Sequence, residues 1–156
     1  MKYALIGCGR ISRNHIKAAV NNDVDLVSVC DIKPEAMEKR LAEAGLAKET
    51  YIRRYTDYIE MLEKEKPDFV SIATESGLHA RIALDCIDRG VNVIIEKPMA
   101  MSLADADEII RRSEAKNIKV AACHQEPGPP VLRPSQMARY LGRRRRCLDE
   151  PVHTRH

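Results

Sequence analysis

The 156-residue chain contains no tryptophan, a single phenylalanine and only 4% aromatic residues. It also lacks any apolar run near the roughly 20 residues that a membrane-spanning helix needs, so no membrane association is expected. No basic segment followed by an apolar stretch opens the chain, so we expect no signal peptide and a cytoplasmic location. No internal repeat is visible. The composition is otherwise that of one globular domain large enough for a real core.

The cysteines also lack a pattern that would assign them a structural or metal-binding task. There are five, an odd number, and none has metal-ligand spacing. Cys8, Cys30 and Cys123 lie at or near predicted strand ends, and Cys86 lies in a predicted helix. We therefore expect reduced, buried thiols and no metal site.

Short apolar strands alternate with amphipathic helices along most of the chain. The predicted strands cover residues 3–6, 24–30, 51–53, 69–73, 91–95 and 118–123. The predicted helices cover 13–20, 34–44, 56–64 (capped by Thr56) and 78–89, with a fifth that begins at Ser102 and has Asp105 at its capping-box position. This alternation predicts an α/β fold, a Rossmann-type doubly wound parallel sheet of about six strands.

The composition changes abruptly after Gln125. Residues 126–156 hold five of the eight prolines, seven arginines and no lysine, and carry a net charge of +4. Only 137–141 resembles a brief helix. We therefore predict a Rossmann dinucleotide-binding domain over residues 1–125 and an irregular, basic C-terminal tail over 126–156 that is foreign to the core fold.

A glycine-rich turn, Gly7-Cys8-Gly9-Arg10-Ile11-Ser12, follows the first predicted strand. A strand, a glycine turn and a helix together form the arrangement that holds a dinucleotide pyrophosphate at a helix N-terminus. Gly7 permits the tight turn, and Gly9 lets backbone N–H groups approach the phosphates. Ser12 replaces the third glycine of the pattern and is small enough for the helix to lie close to the strand.

Asp31 closes the second predicted strand, 24 positions after Gly7. A carboxylate there accepts hydrogen bonds from the adenosine ribose hydroxyls and repels a 2′-phosphate, so NAD is favoured over NADP. Lys33 softens that repulsion. The alternative is a surface acid, or the N-cap of the helix that Pro34 opens.

The triplet Glu96-Lys97-Pro98 follows the fifth predicted strand, at the sheet edge where ligands bind in open α/β folds. With this triplet, the chain resembles the Gfo/Idh/MocA oxidoreductases, the glucose-fructose oxidoreductase and inositol dehydrogenase group, over about residues 1–125. The motifs that match are Gly7-x-Gly9-x-Ile11-Ser12, His15, Asp31, Asp68-x-Val70-x-Ile72-x-Thr74, His79, Gly90-Val91-x-Val93 and Glu96-Lys97-Pro98. Residues 122–125 look most like members that oxidise nucleotide-linked amino-sugar acids.

The resemblance implies a role for each site residue. Gly7, Gly9, Arg10 and Ile11 would hold the pyrophosphate, and Asp31 the adenosine ribose. Thr74, Glu75 and His79 would border the adenine and nicotinamide halves, although Glu75 stands where the family usually has proline. Glu96 would lie near the nicotinamide ribose. Lys97 would be the active-site lysine, which positions the reacting hydroxyl while hydride leaves for the nicotinamide.

Structural alternatives stay open for several of these residues. Lys97 is otherwise a solvated lysine before a turn proline, Thr74 a strand terminus, and His79 a helix-start residue. His124 is either a core histidine or a substrate contact, and His15 is interpreted as a packing residue of the first helix. The run Arg143–Arg146 is a solvated charge run; nucleic-acid binding is disfavoured because only Tyr140 could stack on a base there.

Members of the family carry a second α/β domain that covers the substrate, and we expect this chain to lack it. The expectation is a truncated or frame-shifted product: a cofactor-binding half followed by residues read out of frame. Two function classes follow: an NAD-dependent dehydrogenase of a sugar, sugar nucleotide or cyclitol, and an NAD(P)-binding module without turnover. The expected partners are a nicotinamide dinucleotide and, in the full-length family, a sugar substrate; a homo-oligomer is left open.

Overall fold

The computed structural model describes residues 1–123, which contain a parallel sheet of six strands in the order β3-β2-β1-β4-β5-β6. The strands are β1 (Lys2–Ile6), β2 (Asp25–Cys30), β3 (Arg53–Tyr55), β4 (Phe69–Ile72), β5 (Asn92–Ile95) and β6 (Val120–Ala122). Every neighbouring pair is parallel. The direction of winding reverses between β1 and β4, which creates a crevice at the carboxyl ends of these strands.

Five α-helices connect the strands in this part of the chain, together with a short 3₁₀ turn at Ser76–Leu78. They are α1 (Ser12–Asn21), α2 (Pro34–Glu43), α3 (Tyr58–Glu65), α4 (His79–Asp88) and α5 (Leu103–Ala115). None of these helices has the length and apolar character needed to cross a membrane.

The core consists of two hydrophobic clusters, one on each face of the sheet. Along β1, Ala4 and Ile6 belong to one cluster and Tyr3 and Leu5 to the other, as the two-residue period of a strand requires. Helices α3, α4 and α5 contribute Met61, Leu62, Ile82, Ala83, Cys86, Ile87 and Ile109 to the first cluster. Helices α1 and α2 contribute Ile16, Ala19, Met37 and Leu41 to the second. The predicted doubly wound α/β fold is therefore confirmed.

Two local expectations were wrong. The third strand is shifted: Ile52 packs in the core but precedes the ladder, which pairs Arg53–Tyr55 with Ser28–Cys30. Helix α3 is capped by Asp57, whose carboxylate accepts from the Ile59 N–H at 2.8 Å, and not by Thr56. With Asp57 as the N-cap, Ile59 is the N2 residue, whose N–H an N-cap side chain accepts.

The predicted fifth helix start is confirmed. Ser102 Oγ accepts from the Asp105 N–H at 3.1 Å and donates to Asp105 Oδ2 at 2.8 Å. The predictions for His124, Gln125, the 137–141 helix and the 126–156 tail lie outside the described residues.

Candidate functional site

The segments that carry the predicted site residues are joined by backbone hydrogen bonds along the carboxyl edge of the sheet. The ladder continues past the strands through Gly7 N–H to Cys30 O (2.8 Å), Ala73 N–H to Ile6 O (2.7 Å), Glu96 N–H to Ile72 O (3.0 Å) and Cys123 N–H to Ile95 O (2.8 Å). Because each bond continues a buried parallel pairing, these segments are held in a fixed relation to one another.

Gly7 lies against the backbone at the end of β4. Its φ of +93° belongs to the left-handed region that disfavours residues with a Cβ. A Cβ there would lie 2.6 Å from the carbonyl carbon of Ala73 and 2.7 Å from the nitrogen of Thr74. Glycine is therefore required at this point, where β1 and β4 diverge to form the crevice.

Gly9 is exposed, and a Cβ built on it would meet no atom within 4 Å. The backbone N–H groups of Gly9, Arg10 and Ile11 find no acceptor within residues 1–123. Three unused donors beside an open space, at the N-terminus of α1, form a cradle suited to an anionic group such as a pyrophosphate. The turn therefore fits a dinucleotide.

Asp31 faces the same turn. Its Oδ2 accepts from the Cys8 N–H at 2.7 Å and its Oδ1 from the Lys33 N–H at 2.9 Å. Its own N–H donates to Tyr55 O at 3.1 Å. Each carboxylate oxygen has a second lone pair, so Asp31 can still accept from a hydroxyl group.

The loop after β4 contains Thr74 and Glu75. Thr74 is partly buried and its hydroxyl donates to Glu75 O at 3.3 Å, whereas Glu75 is exposed. The two residues lie next to the glycine turn, since a Cβ added to Gly7 would lie only 2.7 Å from the nitrogen of Thr74.

His79 is 1% exposed, at the start of α4. Its Nδ1 lies 2.8 Å from Pro98 O and its Nε2 lies 3.0 Å from Thr74 O. Each ring nitrogen thus faces a backbone carbonyl, and a nitrogen that carries a hydrogen donates to it. The ring thereby joins the loop after β4 to the loop after β5, and the expected role of His79 beside the cofactor stays a prediction.

Glu96 is the centre of a side-chain network. His15 Nε2 lies 2.8 Å from Glu96 Oε1, the Lys97 N–H donates to Oε2 at 3.3 Å, and the Cys123 sulfur lies within 4.8 Å of the carboxylate. The hydrogen bond with His15 lowers the pKa of Glu96, and burial opposes that shift. Burial, followed by the nearby Glu96 charge, raises the pKa of Cys123 to about 12.

The interpretation of His15 as a packing residue was therefore incomplete. His15, Glu96 and Cys123 place their polar atoms within 4.8 Å of one another, which brings α1 to the ends of β5 and β6. The Glu96 carboxylate is thus bonded to the His15 imidazole on one oxygen and to the Lys97 N–H on the other.

Lys97 follows β5 at the carboxyl edge and is exposed. Among residues 1–123 its ammonium has no ion-pair or hydrogen-bond partner. The peptide bond to Pro98 is cis. A cationic, unpartnered side chain beside the crevice is available for a ligand's hydroxyl or carboxylate group.

Sequence reasoning missed Arg40 on α2. Its Nε donates to both Cys8 O (3.1 Å) and Gly9 O (2.9 Å), and its side chain is 12% exposed. Its position in the sequence could have identified it, since it lies three residues after Met37 and one before Leu41, both buried. A charged residue at such a core-facing helix position needs a partner.

The fold and this site define a dinucleotide-binding domain of the Rossmann class: strand order 3-2-1-4-5-6, a glycine turn at the switch point and an acid at the end of β2. The family that matches residues 1–124 is described as "Oxidoreductase family, NAD-binding Rossmann fold". The chain belongs to this Gfo/Idh/MocA oxidoreductase family, as the motifs predicted. The family description also confirms NAD as the expected cofactor.

Several relatives have stated activities. The chain is 39% identical over 118 residues to D-apiose dehydrogenase of Paraburkholderia graminis, which spans 75% of this chain. It is 32% identical over 120 residues to glycosyl hydrolase family 109 protein 2 of Akkermansia muciniphila, which spans 74% of it. Among solved structures, the WlbA dehydrogenase of Bordetella pertussis in complex with NADH and UDP-GlcNAcA matches with a TM-score of 0.70, 32% identity and 79% of this chain.

The chain spans 30% of the length of the apiose dehydrogenase, 25% of the hydrolase and 34% of the WlbA chain. The similarity thus covers the nucleotide-binding domain and leaves most of each relative unmatched.

Proposed function

We propose that residues 1–125 bind NAD as the cofactor half of an oxidoreductase that moves a hydride between a sugar, sugar-nucleotide or cyclitol carbon and the nicotinamide. The observation that carries this proposal is the set of three unused N–H groups at Gly9, Arg10 and Ile11, beside an open cradle, in the turn whose Cys8 N–H donates to Asp31. In this proposal Gly7 sets the turn, the three N–H groups hold the pyrophosphate, and Asp31 accepts from the adenosine ribose.

The remaining site residues would serve the nicotinamide end. Thr74 and Glu75 would border the cofactor, His79 would hold their loop in place from beneath, and Glu96 would accept from the nicotinamide ribose. The contact with His15 supports this last role, because it lowers the pKa of Glu96 and so favours the ionised acceptor form.

Bound NAD would supply the acceptor for the hydride. Lys97 would donate a hydrogen bond to the reacting hydroxyl, orient it, and stabilise the negative charge that develops on its oxygen. An ammonium placed beside a developing alkoxide is a large electrostatic contribution in a site that excludes water. The position of Lys97 after β5, with an ammonium that has no partner among residues 1–123, supports this role.

The relatives suggest the substrate class. D-Apiose dehydrogenase, inositol 2-dehydrogenase and the WlbA enzyme bound to UDP-GlcNAcA all act on or bind polyhydroxylated compounds. The alternative is an NAD(P)-binding module without turnover, because residues 1–123 hold the cofactor elements, whereas orienting the substrate normally contributes much of the rate. Four expectations stay predictions: the cytoplasmic location, the homo-oligomer, the tail foreign to the fold and the frame shift. The coding DNA tests the frame shift.

Calorimetry with NAD and NADP tests the cofactor site. The wild type is expected to prefer NAD, and Asp31→Ala to abolish that preference. Glu35→Ala is the matched control, because Glu35 is an exposed acid in the first turn of α2 and accepts no side-chain hydrogen bond among the described residues. Equal, weak binding of both dinucleotides to the wild type would contradict the ribose assignment.

Turnover separates the two function classes. NADH formation is followed with D-apiose, myo-inositol and UDP-GlcNAcA, using the wild type and Lys97→Met. Turnover that Lys97→Met removes, with NAD affinity unchanged, supports the dehydrogenase. NAD binding without turnover on any of the three supports the cofactor-binding module.

A further inference from the structure

Arg40 lies beneath the glycine turn and is tied to it by two hydrogen bonds from a single atom. Its Nε donates to Cys8 O at 3.1 Å and to Gly9 O at 2.9 Å. Its Nη1 lies 2.5 Å from Glu43 Oε2, one turn further along α2. The guanidinium is nearly buried, with 12% of the side chain exposed, so it is fixed on both sides.

The two carbonyls that Arg40 holds belong to the peptide groups whose N–H donors point at the cradle. The Cys8 carbonyl shares a peptide plane with the Gly9 N–H, and the Gly9 carbonyl shares one with the Arg10 N–H. In a trans peptide the C=O and N–H bonds point in opposite directions. Drawing both carbonyls inward to Arg40 therefore turns the Gly9 and Arg10 N–H groups outward, where they find no acceptor within the described chain.

The Gly9 carbonyl also accepts a hydrogen bond from a second helix, α1. Ser12, fully buried at the start of α1, donates from Oγ to Gly9 O at 2.5 Å. Gly9 O is thus held by donors from α1 and α2 together. Without Arg40, Cys8 O would have no recorded donor among the described residues, and its peptide plane would be free to rotate.

We propose that Arg40 is a positioning residue that presets the Gly9 and Arg10 N–H groups for the pyrophosphate of a dinucleotide. This inference rests on the proposed function. Arg40 acts through the peptide planes, and its permanent cationic charge lowers the free energy of an anion placed on the other side of the turn.

The test compares Arg40→Met, which keeps much of the side-chain length and removes the donors, with Arg40→Lys and with Glu43→Gln. Glu43→Gln removes the charge paired with Nη1 and leaves the Nε contacts in place. Affinities for NAD and ADP-ribose are measured by calorimetry, and that for adenosine, which has no phosphate, by NMR titration. The Gly9 and Arg10 amide resonances report the turn in the free protein.

Arg40→Met is expected to weaken NAD and ADP-ribose about tenfold or more, the effect of a lost charge-assisted hydrogen bond, and to leave adenosine within about twofold. Its Gly9 and Arg10 amide resonances shift in the free protein. Arg40→Lys recovers part of the affinity, because its ammonium keeps the charge and can donate to a carbonyl. Glu43→Gln binds NAD at least as tightly as the wild type does, because the Nε contacts stay in place and a negative charge near the pyrophosphate is removed.

Unchanged NAD affinity in Arg40→Met, or an equal loss for NAD and adenosine, would overturn the inference. Should Arg40→Met fail to fold, Arg40→Lys decides by the same NAD-to-adenosine comparison. If the wild type does not bind NAD at all, the proposed function fails and the inference with it. If the wild type binds NAD and Arg40→Met binds it with the same affinity, the inference fails while the proposed function stands.

Discussion

A Cβ on Gly7 would lie 2.6 Å from both the carbonyl carbon and the carbonyl oxygen of Ala73. The two strands that bound the crevice therefore touch through backbone at this point, and no side chain fits between them. Gly9, two residues on, has open space around its Cα. We therefore expect substitution of Gly7 to reduce stability and substitution of Gly9 to reduce NAD affinity.

Gly7→Ala is expected to destabilise the domain, because alanine combines a left-handed φ with overlap against rigid backbone. Each effect costs about 1–3 kcal/mol, so the free energy of unfolding in urea should fall by at least about 2 kcal/mol. Gly9→Ala is the matched control: its unfolding free energy should change little, and its NAD affinity should fall about tenfold or more as the methyl group enters the cradle. A stable Gly7→Ala would contradict the close contact.

Glu96 gives a pH-dependent prediction. The pKa of Glu96 is lowered in the folded protein, so the unfolded chain binds a proton at Glu96 more readily than the folded chain does. The contribution of Glu96 to stability is therefore fully present above its usual pKa near 4.5. That contribution is lost as the pH falls through the lowered folded value. Urea unfolding between pH 7 and 3 should therefore show a steeper acid loss in the wild type than in Glu96→Gln. Parallel curves for the two proteins would refute it.

The described cysteines are expected to react slowly. Burial is the main cause that raises the pKa of Cys8, Cys30, Cys86 and Cys123 to about 12, from about 9. At pH 8 the reactive thiolate fraction is then lower by about a thousandfold. Mass spectrometry after iodoacetamide treatment should find these four unmodified in the folded protein and alkylated in urea. Rapid labelling of any of them without urea would be inconsistent with the buried thiols.

Of the two neighbouring polar residues Thr56 and Asp57, only Asp57 caps α3. Asp57→Ala removes the acceptor of the Ile59 N–H and should lower the free energy of unfolding by about 0.5–2 kcal/mol. Thr56→Ala should change it by less than about 0.5 kcal/mol, because Thr56 makes no recorded capping bond. Thermal melts of the two variants are compared with the wild type, and the reverse order would restore Thr56 as the cap.

The local features were predictable because their signals are local. The strand–turn–helix at the N-terminus, the acid at the end of β2 and the Ser102 cap each depend on residues close in sequence. The pairing of His15 with Glu96 joins positions 81 apart and depends on the sheet order, which composition does not encode. Arg40 was missed for the same reason: its partners, Cys8 and Gly9, are more than 30 residues away.

The exact strand bounds also depended on pairing. Ile52 is apolar and buried, which favoured a strand around it, yet the ladder with β2 begins only at Arg53. Burial and strand pairing are separate requirements, and the sequence reports the first more directly than the second.

The anchoring of Asp31 has a consequence for how selectively a ribose is recognised. With one oxygen on the Cys8 N–H and the other on the Lys33 N–H, the carboxylate is already in a single rotamer. Binding of a diol to Asp31 therefore need not immobilise a mobile side chain. In sites where it must, the lost side-chain entropy costs about 0.5–1.5 kcal/mol. If Asp31 accepts from the adenosine ribose as proposed, the same two bonds would resist its movement away from an added 2′-phosphate, so the preference for NAD would be built into the domain before the cofactor binds.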